Sequence, residues 1–428
     1  MSSGLFRQKK EVKKFPLWYN SLMKKAFFFI TLLLGVIFVW TISVDGYKGI
    51  SQEKFTDYLA SIFFIDSATE ASLRQTFHEA KEKNDKVKVL IVPGHDDISW
   101  GTDFRGVKEA DLTVALGEEL HGLFKENSLF EVKISRTSAG HDKELDLYIE
   151  GNKQGILDFM KVQKSKMGEL IDSGKIVFKI VVEHATSTSR TIQRLYGINK
   201  WANENGYDLV IHIHFNDYAG RKKSATGKYS GFSVYVPEGN FSNAKGSRAV
   251  GESIFKRLRG LYPVSNFPNE GAGIIEDQEL IGVGAYNTLD GAGILIEYDY
   301  IYEPILVDRK IRNEAISDYA LQTYLGVMDF FEPSRINSDM ATAYLPYEWN
   351  RNLFEGTRDP DVLSLQAALM REGVYPPAGF SRNDCPLTGA FGPCTERAVK
   401  AFQKKYNLEP VGQVGPKTRA KLNKIYGI

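Results

Sequence analysis

Cysteine and net charge are both scarce in this 428-residue chain. It contains only two cysteines, and its 54 Lys and Arg nearly balance its 53 Asp and Glu, which leaves a net charge of +1. The scarcity of cysteine excludes a disulfide-dense scaffold, and the 43% hydrophobic content excludes a disordered chain. The small net charge gives no case for nucleic acid as a partner. The length predicts two or three folded domains.

Long uncharged runs are also rare, and the clearest one covers residues 26–44. Its length matches the ~30 Å hydrocarbon core of a bilayer. Residues 1–25 carry seven Lys and Arg against one acid, Glu11, whereas the remainder carries a net charge of −5. Because basic residues favour the cytoplasmic side, we expect a cytoplasmic tail at 1–25, a single-pass membrane anchor at 26–44 and an extracytoplasmic remainder. The alternative is a cleaved signal peptide, whose apolar region is usually shorter.

The rest of the chain divides by its hydrophobic pattern. Residues 45–84 read as a stalk that contains one largely polar helix near 68–83. Short apolar strands alternate with helices over residues 85–332, which predicts an α/β domain whose sheet is flanked by helices. Residues 333–355 lack periodicity and read as a linker, and residues 356–428 form a small all-α module.

Four polar side chains are expected to meet at one edge of the sheet. His95 follows the first strand, Glu109 begins the next helix, His214 follows a strand at 209–213, and Glu297 ends a strand at 293–296. The carboxyl ends of such strands converge on one crevice. Two imidazoles and one carboxylate suit Zn²⁺ with one position open, and the second carboxylate is then free to act on water. Ordinary strand-end polar residues are an equal alternative on this ground alone.

The other histidines lack this placement. By alternation, His212 points away from its apolar neighbours in the strand, and we expect a structural role. His78, His121 and His141 look like surface residues. His184 looks like a loop residue.

Several segments, in this order along the chain, resemble the zinc-dependent N-acetylmuramoyl-L-alanine amidases of the type-3 family. They are residues 89–95 (VLIVPGH), 101–102 (GT), 106–112 (GVKEADL), 135–136 (SR), 208–210 (DLV), 214–216 (HFN), 231–235 (GFSVY) and 294–297 (ILIE). The resemblance implies zinc held by His95, Glu109 and His214, with Glu297 as the catalytic acid and base. It also implies a substrate, the amide between N-acetylmuramic acid and L-alanine in peptidoglycan.

The chain departs from the family pattern beside these residues. Asp96 and Asp97 replace two glycines after the first histidine, and Tyr298 and Asp299 follow Glu297 in place of the usual residues. We expect the latter pair to change the wall beside the catalytic carboxylate. An insertion at about 138–189, with a polar helix near 153–173 and a strand-like run at 176–182, is expected to be either a regulatory arm or an inert embellishment.

The last domain resembles the peptidoglycan-binding domain of the three-helix type. The matching segments are residues 362–366 (VLSLQ), 389–393 (GAFGP), 398–403 (AVKAFQ) and 412–415 (GQVG). A structural bundle without a ligand is the alternative. Cys385 and Cys394 lie in this module and either form a disulfide or remain free thiols.

These observations predict a membrane-anchored zinc amidase that acts on peptidoglycan. Two alternatives are a non-catalytic wall-binding scaffold or regulator, and a zinc peptidase that cuts within the stem peptide. The partners expected are peptidoglycan and the membrane. No nucleic acid is expected, and the sequence identifies no protein activator.

Overall fold

The protein is described here by a computed structural model that covers residues 52–184, 187–333 and 342–427. The predicted tail at 1–25 and anchor at 26–44 lie outside these residues. Within the covered ranges, no helix is both long enough and apolar enough to cross a membrane. The chain divides into two units, Met1–Tyr58 and Leu59–Ile428, and the second contains the sheet and the carboxyl-terminal helices.

The helices are α1 (Gln52–Phe63), α2 (Glu70–Lys83), α3 (Glu109–Glu126), α4 (Lys143–Gly151), α5 (Lys153–Asp172), α6 (Ser189–Asn205), α7 (Ala244–Leu261), α8 (Pro304–Val307), α9 (Arg309–Phe331), α10 (Pro360–Arg371), α11 (Pro393–Lys405) and α12 (Pro416–Tyr426). The strands are β1 (Val87–Pro93), β2 (Asp103–Phe104), β3 (Val107–Lys108), β4 (Phe130–Ile134), β5 (Arg136–Thr137), β6 (Gly140–His141), β7 (Leu209–Asn216), β8 (Ser233–Pro237), β9 (Ile274–Asp277) and β10 (Ala292–Tyr300).

Six strands form the central sheet in the order β4-β1-β7-β10-β8-β9. Strands β4, β1, β7 and β10 are parallel, β8 runs antiparallel to β10, and β9 is parallel to β8. The predicted α/β sheet with flanking helices is therefore confirmed. Strands β7 and β10 are longer than predicted, so that His214 and Glu297 lie within them. Strand β9 was not predicted from the sequence.

One face of the sheet packs into the main apolar core, and the other face carries the candidate site residues. Alternate residues such as Ile211, Ile213 and Ile296 lie in a large apolar core, which is formed with α3, α7 and α9. The other face of β7 and β10 carries His214 and Glu297. Part of this second face, toward β1, is covered by apolar residues of α4, α5 and α6.

The stalk prediction is wrong for helix α2. Leu73, Phe77 and Ala80 of this helix are buried. The ring of Phe77 stacks on that of Phe331, with centroids 4.6 Å apart. These three buried residues recur at helical spacing on one narrow face, which the many charges of the helix obscure in the sequence. Helix α2 is therefore part of the α/β body.

The insertion packs into the body. Helix α5 confirms the predicted polar helix, but residues 176–182 form no strand. Ile149 and Ile156 are buried against α6, where a Cβ at Gly197 would lie 3.0 Å from each side chain. The insertion therefore contributes apolar side chains to the core of the body.

The predicted linker also packs. In the covered part of this segment, Tyr344, Trp349 and Leu353 are buried. The backbone of Leu353 pairs with Val414 of the carboxyl-terminal helical module. The lack of periodicity in this segment therefore did not mean that its large apolar side chains are exposed. Within that module, Cys385 and Cys394 form a disulfide, which excludes the free-thiol alternative.

Candidate metal centre

The structure brings His95, Glu109 and His214 together. One ligand atom from each residue lies within 4.8 Å of the other two. Glu109 stands between the imidazoles, with Oε2 3.1 Å from His95 Nε2 and Oε1 3.1 Å from His214 Nδ1. The three side chains come from the end of β1, the first turn of α3 and strand β7, as expected of a crevice at the carboxyl ends of parallel strands.

Two glycines make this approach possible. A Cβ at Gly94 would lie 2.3 Å from Cε1 of His214, so only glycine leaves room for the ring. Gly101 has a φ of +74°, and a Cβ there would lie 2.2 Å from Oε2 of Glu109. Between them, His95 itself has a φ of 63°, which turns the chain across the strand ends.

Glu109 is 4% exposed and fully hydrogen-bonded. The backbone N–H of Thr102 donates to Oε2 at 3.1 Å, and that of Phe215 donates to Oε1 at 3.2 Å. Burial would raise the pKa of Glu109, but the hydrogen bonds from His214 and His95 outweigh it and lower the pKa to about 2. The carboxylate is therefore ionised and available as a ligand.

The two histidines differ in charge preference. Burial lowers the pKa of His214 and favours the neutral ring, whose unprotonated nitrogen is the form that binds a metal. Burial also disfavours a charge on His95, yet the hydrogen bond and negative charge of Glu109 raise its pKa above the usual range.

Glu297 lies beside this group on the same face of the sheet. It is in register with His214 across β10 and β7, so the two side chains are neighbours. Its Oε2 is buried and has no hydrogen-bond partner among the residues that the structure describes. Burial, followed by the negative charges of Glu109 and Glu270, raises the pKa of Glu297 well above its usual value.

This donor set fits zinc. Two imidazole nitrogens and one carboxylate oxygen are ligands that zinc prefers, and three protein ligands leave a coordination position open. Among the described residues the buried Oε2 of Glu297 has no hydrogen-bond partner, so this oxygen is free to exchange a proton with water or substrate.

Arg136 joins the two chain segments that carry His95 and Glu109. Its Nη2 donates to the carbonyl oxygens of Gly94 at 3.0 Å and Ala110 at 3.1 Å. The buried guanidinium thus holds the turn after β1 against the first turn of α3.

The residues that depart from the family pattern do not all line the site. The expectation that Tyr298 and Asp299 change the wall beside Glu297 is wrong. Alternation turns Tyr298 into the opposite core, where its hydroxyl bonds Thr323 Oγ1 at 2.7 Å. The register shifts between Glu297 and Tyr300, and Asp299 accepts a hydrogen bond from the hydroxyl of Tyr319 on α9.

The first pair of departures stays near the site. Asp96 accepts backbone hydrogen bonds from Ile98 at 2.9 Å and Ser99 at 2.7 Å, which close a tight turn after His95. Asp97 is exposed.

The remaining histidines lie outside the ligand group. His212 is 1% exposed, and burial lowers its pKa to about 3, in keeping with a neutral, structural ring. His184 pairs with Asp277 through a 2.7 Å contact. His141 is half-buried and accepts a 2.9 Å hydrogen bond from Arg194, so it is not the freely solvated residue that the sequence indicated.

Sequence reasoning missed a set of residues behind Glu109. Thr102 Oγ1 donates to Asp217 Oδ2 at 2.5 Å, and Asp217 binds Arg221. Its position could have identified Asp217, because this residue directly follows the strand that carries His214.

Comparison with known proteins identifies the family. Residues 89–305, just over half of the chain, match the family described as N-acetylmuramoyl-L-alanine amidase. Residues 358–422 match a family described as putative peptidoglycan binding domain. These two matches confirm both resemblances seen in the sequence.

Solved structures and a curated protein also show similarity. The amidase of Clostridium difficile 630 is 17% identical, with a TM-score of 0.35, over 59% of this chain and 98% of that one. The amidase of Mycobacterium smegmatis is 14% identical, with a TM-score of 0.37, over 58% and 97%. The zinc D-Ala-D-Ala carboxypeptidase of Streptomyces albus G is 39% identical over 80 residues, which are 19% of this chain and 28% of that protein. The chain thus spans little more than a quarter of the length of this curated relative.

The family assignment accordingly depends on the longer family match, which contains His95, Glu109, His214 and Glu297. The sheet order and the flanking helices agree with the α/β architecture that the sequence predicts. The chain therefore belongs to the N-acetylmuramoyl-L-alanine amidase family.

Proposed function

We propose that this protein hydrolyses the amide between the lactyl group of N-acetylmuramic acid and the L-alanine of the peptidoglycan stem peptide, with zinc as its metal. The observation that supports this most is the convergence of His95, Glu109 and His214 beside Glu297, whose Oε2 has no hydrogen-bond partner in the described part of the chain. The chemistry of these donors suits zinc, and the chain belongs to a family described by this activity.

His95, Glu109 and His214 are the proposed zinc ligands. Zinc bound there supplies a Lewis acid that polarises the scissile carbonyl and makes water more acidic. Glu109 is held ionised for this role by its contacts with both imidazoles.

Glu297 is the proposed acid–base residue. Its Oε2 takes a proton from the attacking water while the water oxygen bonds to the carbonyl carbon, and it returns that proton to the leaving nitrogen as the C–N bond breaks. The raised pKa of Glu297 suits the second step, because burial favours the protonated carboxyl that donates to the leaving amine. A cation among the ligands would favour the ionised form that the first step requires.

Mutation of the acid–base residue tests this assignment. We expect Glu297→Ala to retain zinc and to lose about 10²–10⁴-fold in activity on purified sacculi. His95→Ala and His214→Ala should instead lose the metal, as measured by elemental analysis. Glu131→Gln removes an exposed carboxylate of the same sheet and serves as the control. Wild-type turnover by Glu297→Ala would remove this residue from the mechanism.

Mass spectrometry of digested sacculi separates the three candidate functions. Free intact stem peptides indicate the amidase, and shortened peptides indicate a peptidase. Pelleting with sacculi without any release indicates a scaffold or regulator. The packing of Tyr298 and Asp299 away from the site weakens the scaffold alternative, since these departures had supported it.

We further propose that residues 26–44 anchor the protein in the membrane with residues 1–25 in the cytoplasm. The uncharged run and its basic flank support this location. Peptidoglycan is the proposed partner of residues 356–428, a range that contains the matched binding domain.

A further inference from the structure

A polar cluster joins the two loops that flank the proposed metal ligands. Asp217 lies one residue beyond β7, the strand of His214, and accepts two 2.7 Å hydrogen bonds from Nε and Nη2 of Arg221. Its Oδ2 also accepts the hydroxyl of Thr102 at 2.5 Å. Thr102 belongs to the loop before Glu109. We call Thr102, Asp217 and Arg221 the clamp.

The clamp reaches Glu109 through the backbone of Thr102. The N–H of Thr102 donates to Glu109 Oε2 at 3.1 Å, and its carbonyl accepts the N–H of Glu109 at 2.9 Å. This Oε2 is the oxygen that lies 3.1 Å from His95 Nε2. Thr102 is thus held by Asp217 on its side chain and by Glu109 on its backbone.

The guanidinium of Arg221, which holds Asp217 in the clamp, is buried. The side chain of Arg221 is 2% exposed and lies 5.5 Å from the ring centroid of Phe104 and 5.2 Å from that of Tyr302. Its remaining N–H groups donate to backbone carbonyls of Asp103, Lys222, Lys223 and Ala225. An ion pair whose guanidinium is buried and fully hydrogen-bonded contributes little net stability but restricts the geometry of its carboxylate partner.

We propose that Thr102, Asp217 and Arg221 are positioning residues that hold the carboxylate of Glu109 for zinc. This inference rests on the proposed metal role of Glu109. A ligating carboxylate presents one lone pair to the metal and is oriented by hydrogen bonds to the others, and loss of such a partner typically weakens metal binding 10–100-fold. The hydroxyl of Thr102 bonds Asp217 and so fixes the position of the Thr102 N–H that donates to Glu109 Oε2.

The test is a pair of conservative substitutions at Thr102 in the full chain. Thr102→Val removes the hydroxyl and keeps the backbone and shape, whereas Thr102→Ser keeps the hydroxyl. We measure zinc affinity by competition with a chromogenic chelator, and the thermal midpoint of the metal-free protein by circular dichroism. Thr102→Val should bind zinc about 10–100-fold more weakly, while Thr102→Ser stays close to wild type. Thr102→Ala should reproduce the loss if valine is poorly accommodated.

Lys223→Ala is the matched control. It removes an exposed ion pair with Asp103 in the same region and leaves the clamp intact, so zinc affinity should not change. Wild-type zinc affinity in folded Thr102→Val, or an equal loss in Lys223→Ala, would overturn the proposal. A loss matched by a lower thermal midpoint of metal-free Thr102→Val would reduce the clamp to a structural role. Wild-type protein that binds no zinc would overturn the proposed function as well, so the two failures are distinct.

Discussion

Asp318 gives the sharpest test of how burial of a carboxyl affects the stability of this protein. This fully buried residue of α9 accepts hydrogen bonds from the backbone N–H of Ala343 at 2.8 Å, the hydroxyl of Tyr262 at 2.8 Å and Gln322 at 3.1 Å. Tyr262 in turn contacts the hydroxyl of Tyr344 at 2.7 Å. Asp318→Asn keeps the shape and can keep these contacts, because the hydroxyl of Tyr262 can accept from the new amide and donate to Tyr344.

The magnitude follows from the pKa of this carboxyl. Burial raises the pKa of Asp318 from 3.8 to about 6, although its three hydrogen bonds oppose the rise. Each tenfold change in an acid constant is worth about 1.4 kcal/mol, so the rise corresponds to about 3 kcal/mol. Below the unfolded pKa the carboxyl is protonated in both states. As the pH rises toward the folded pKa, the unfolded state ionises first, and the free energy of unfolding therefore falls between about pH 4 and 6.

We expect Asp318→Asn to escape this loss. Its free energy of unfolding relative to wild type should rise by about 3 kcal/mol between about pH 3.5 and pH 7. Urea unfolding of both full-length proteins, metal-free and at matched pH, measures this difference, since other titrating groups cancel in the comparison. Asp158→Asn, an exposed position of α5, controls for simple loss of charge. A difference that stays flat with pH would refute the reasoning.

Two further predictions concern the metal centre and the carboxyl-terminal module. Gly94→Ala should displace the ring of His214, because the new Cβ would lie 2.3 Å from Cε1 of that ring. The zinc content, measured by elemental analysis, should therefore fall. Gly122→Ala is the control at an open helical position and should bind zinc normally. The Cys385→Ser, Cys394→Ser double variant should lower the unfolding free energy of the module by roughly 2–3 kcal/mol, as expected for a short closed loop, and calorimetry of the full chain would show it. Full zinc content in Gly94→Ala would contradict the first prediction. An unchanged calorimetric profile of the double cysteine variant would contradict the second.

The four candidate site residues were accessible to sequence reasoning because each is tied to a strand or helix end. His95 follows an unbroken apolar run, and Glu109 begins the next amphipathic helix, so periodicity alone placed both at the crevice. His214 and Glu297 were found on the same grounds, although their strands continue past them. Because His214 and Glu297 are in register on adjacent strands, they are neighbours even though both strands continue past them.

Tertiary packing decided the features that sequence reasoning missed. The polar composition of α2 predicted an exposed stalk helix, but Leu73 and Phe77 dock on the body. Tyr298 was expected in the cleft because it follows Glu297, yet alternation sends it into the opposite core. Phe77 docks on Phe331, a partner that is distant in the chain and that the sequence does not identify. For Tyr298, alternation along the strand was the signal that could have predicted the face.

The clamp shows why supporting residues are harder to predict than ligands. A candidate ligand is recognised by its own chemistry, because histidine and glutamate are side chains that zinc prefers. Thr102 contacts Glu109 through its backbone N–H and carbonyl, groups that almost every residue has. The identity of Thr102 therefore matters through the hydroxyl that Asp217 binds. That bond joins residues 115 positions apart and becomes visible only in the fold. The candidate ligands of this site can therefore be predicted from the sequence, whereas the contacts that hold Glu109 in position are seen only in the three-dimensional structure.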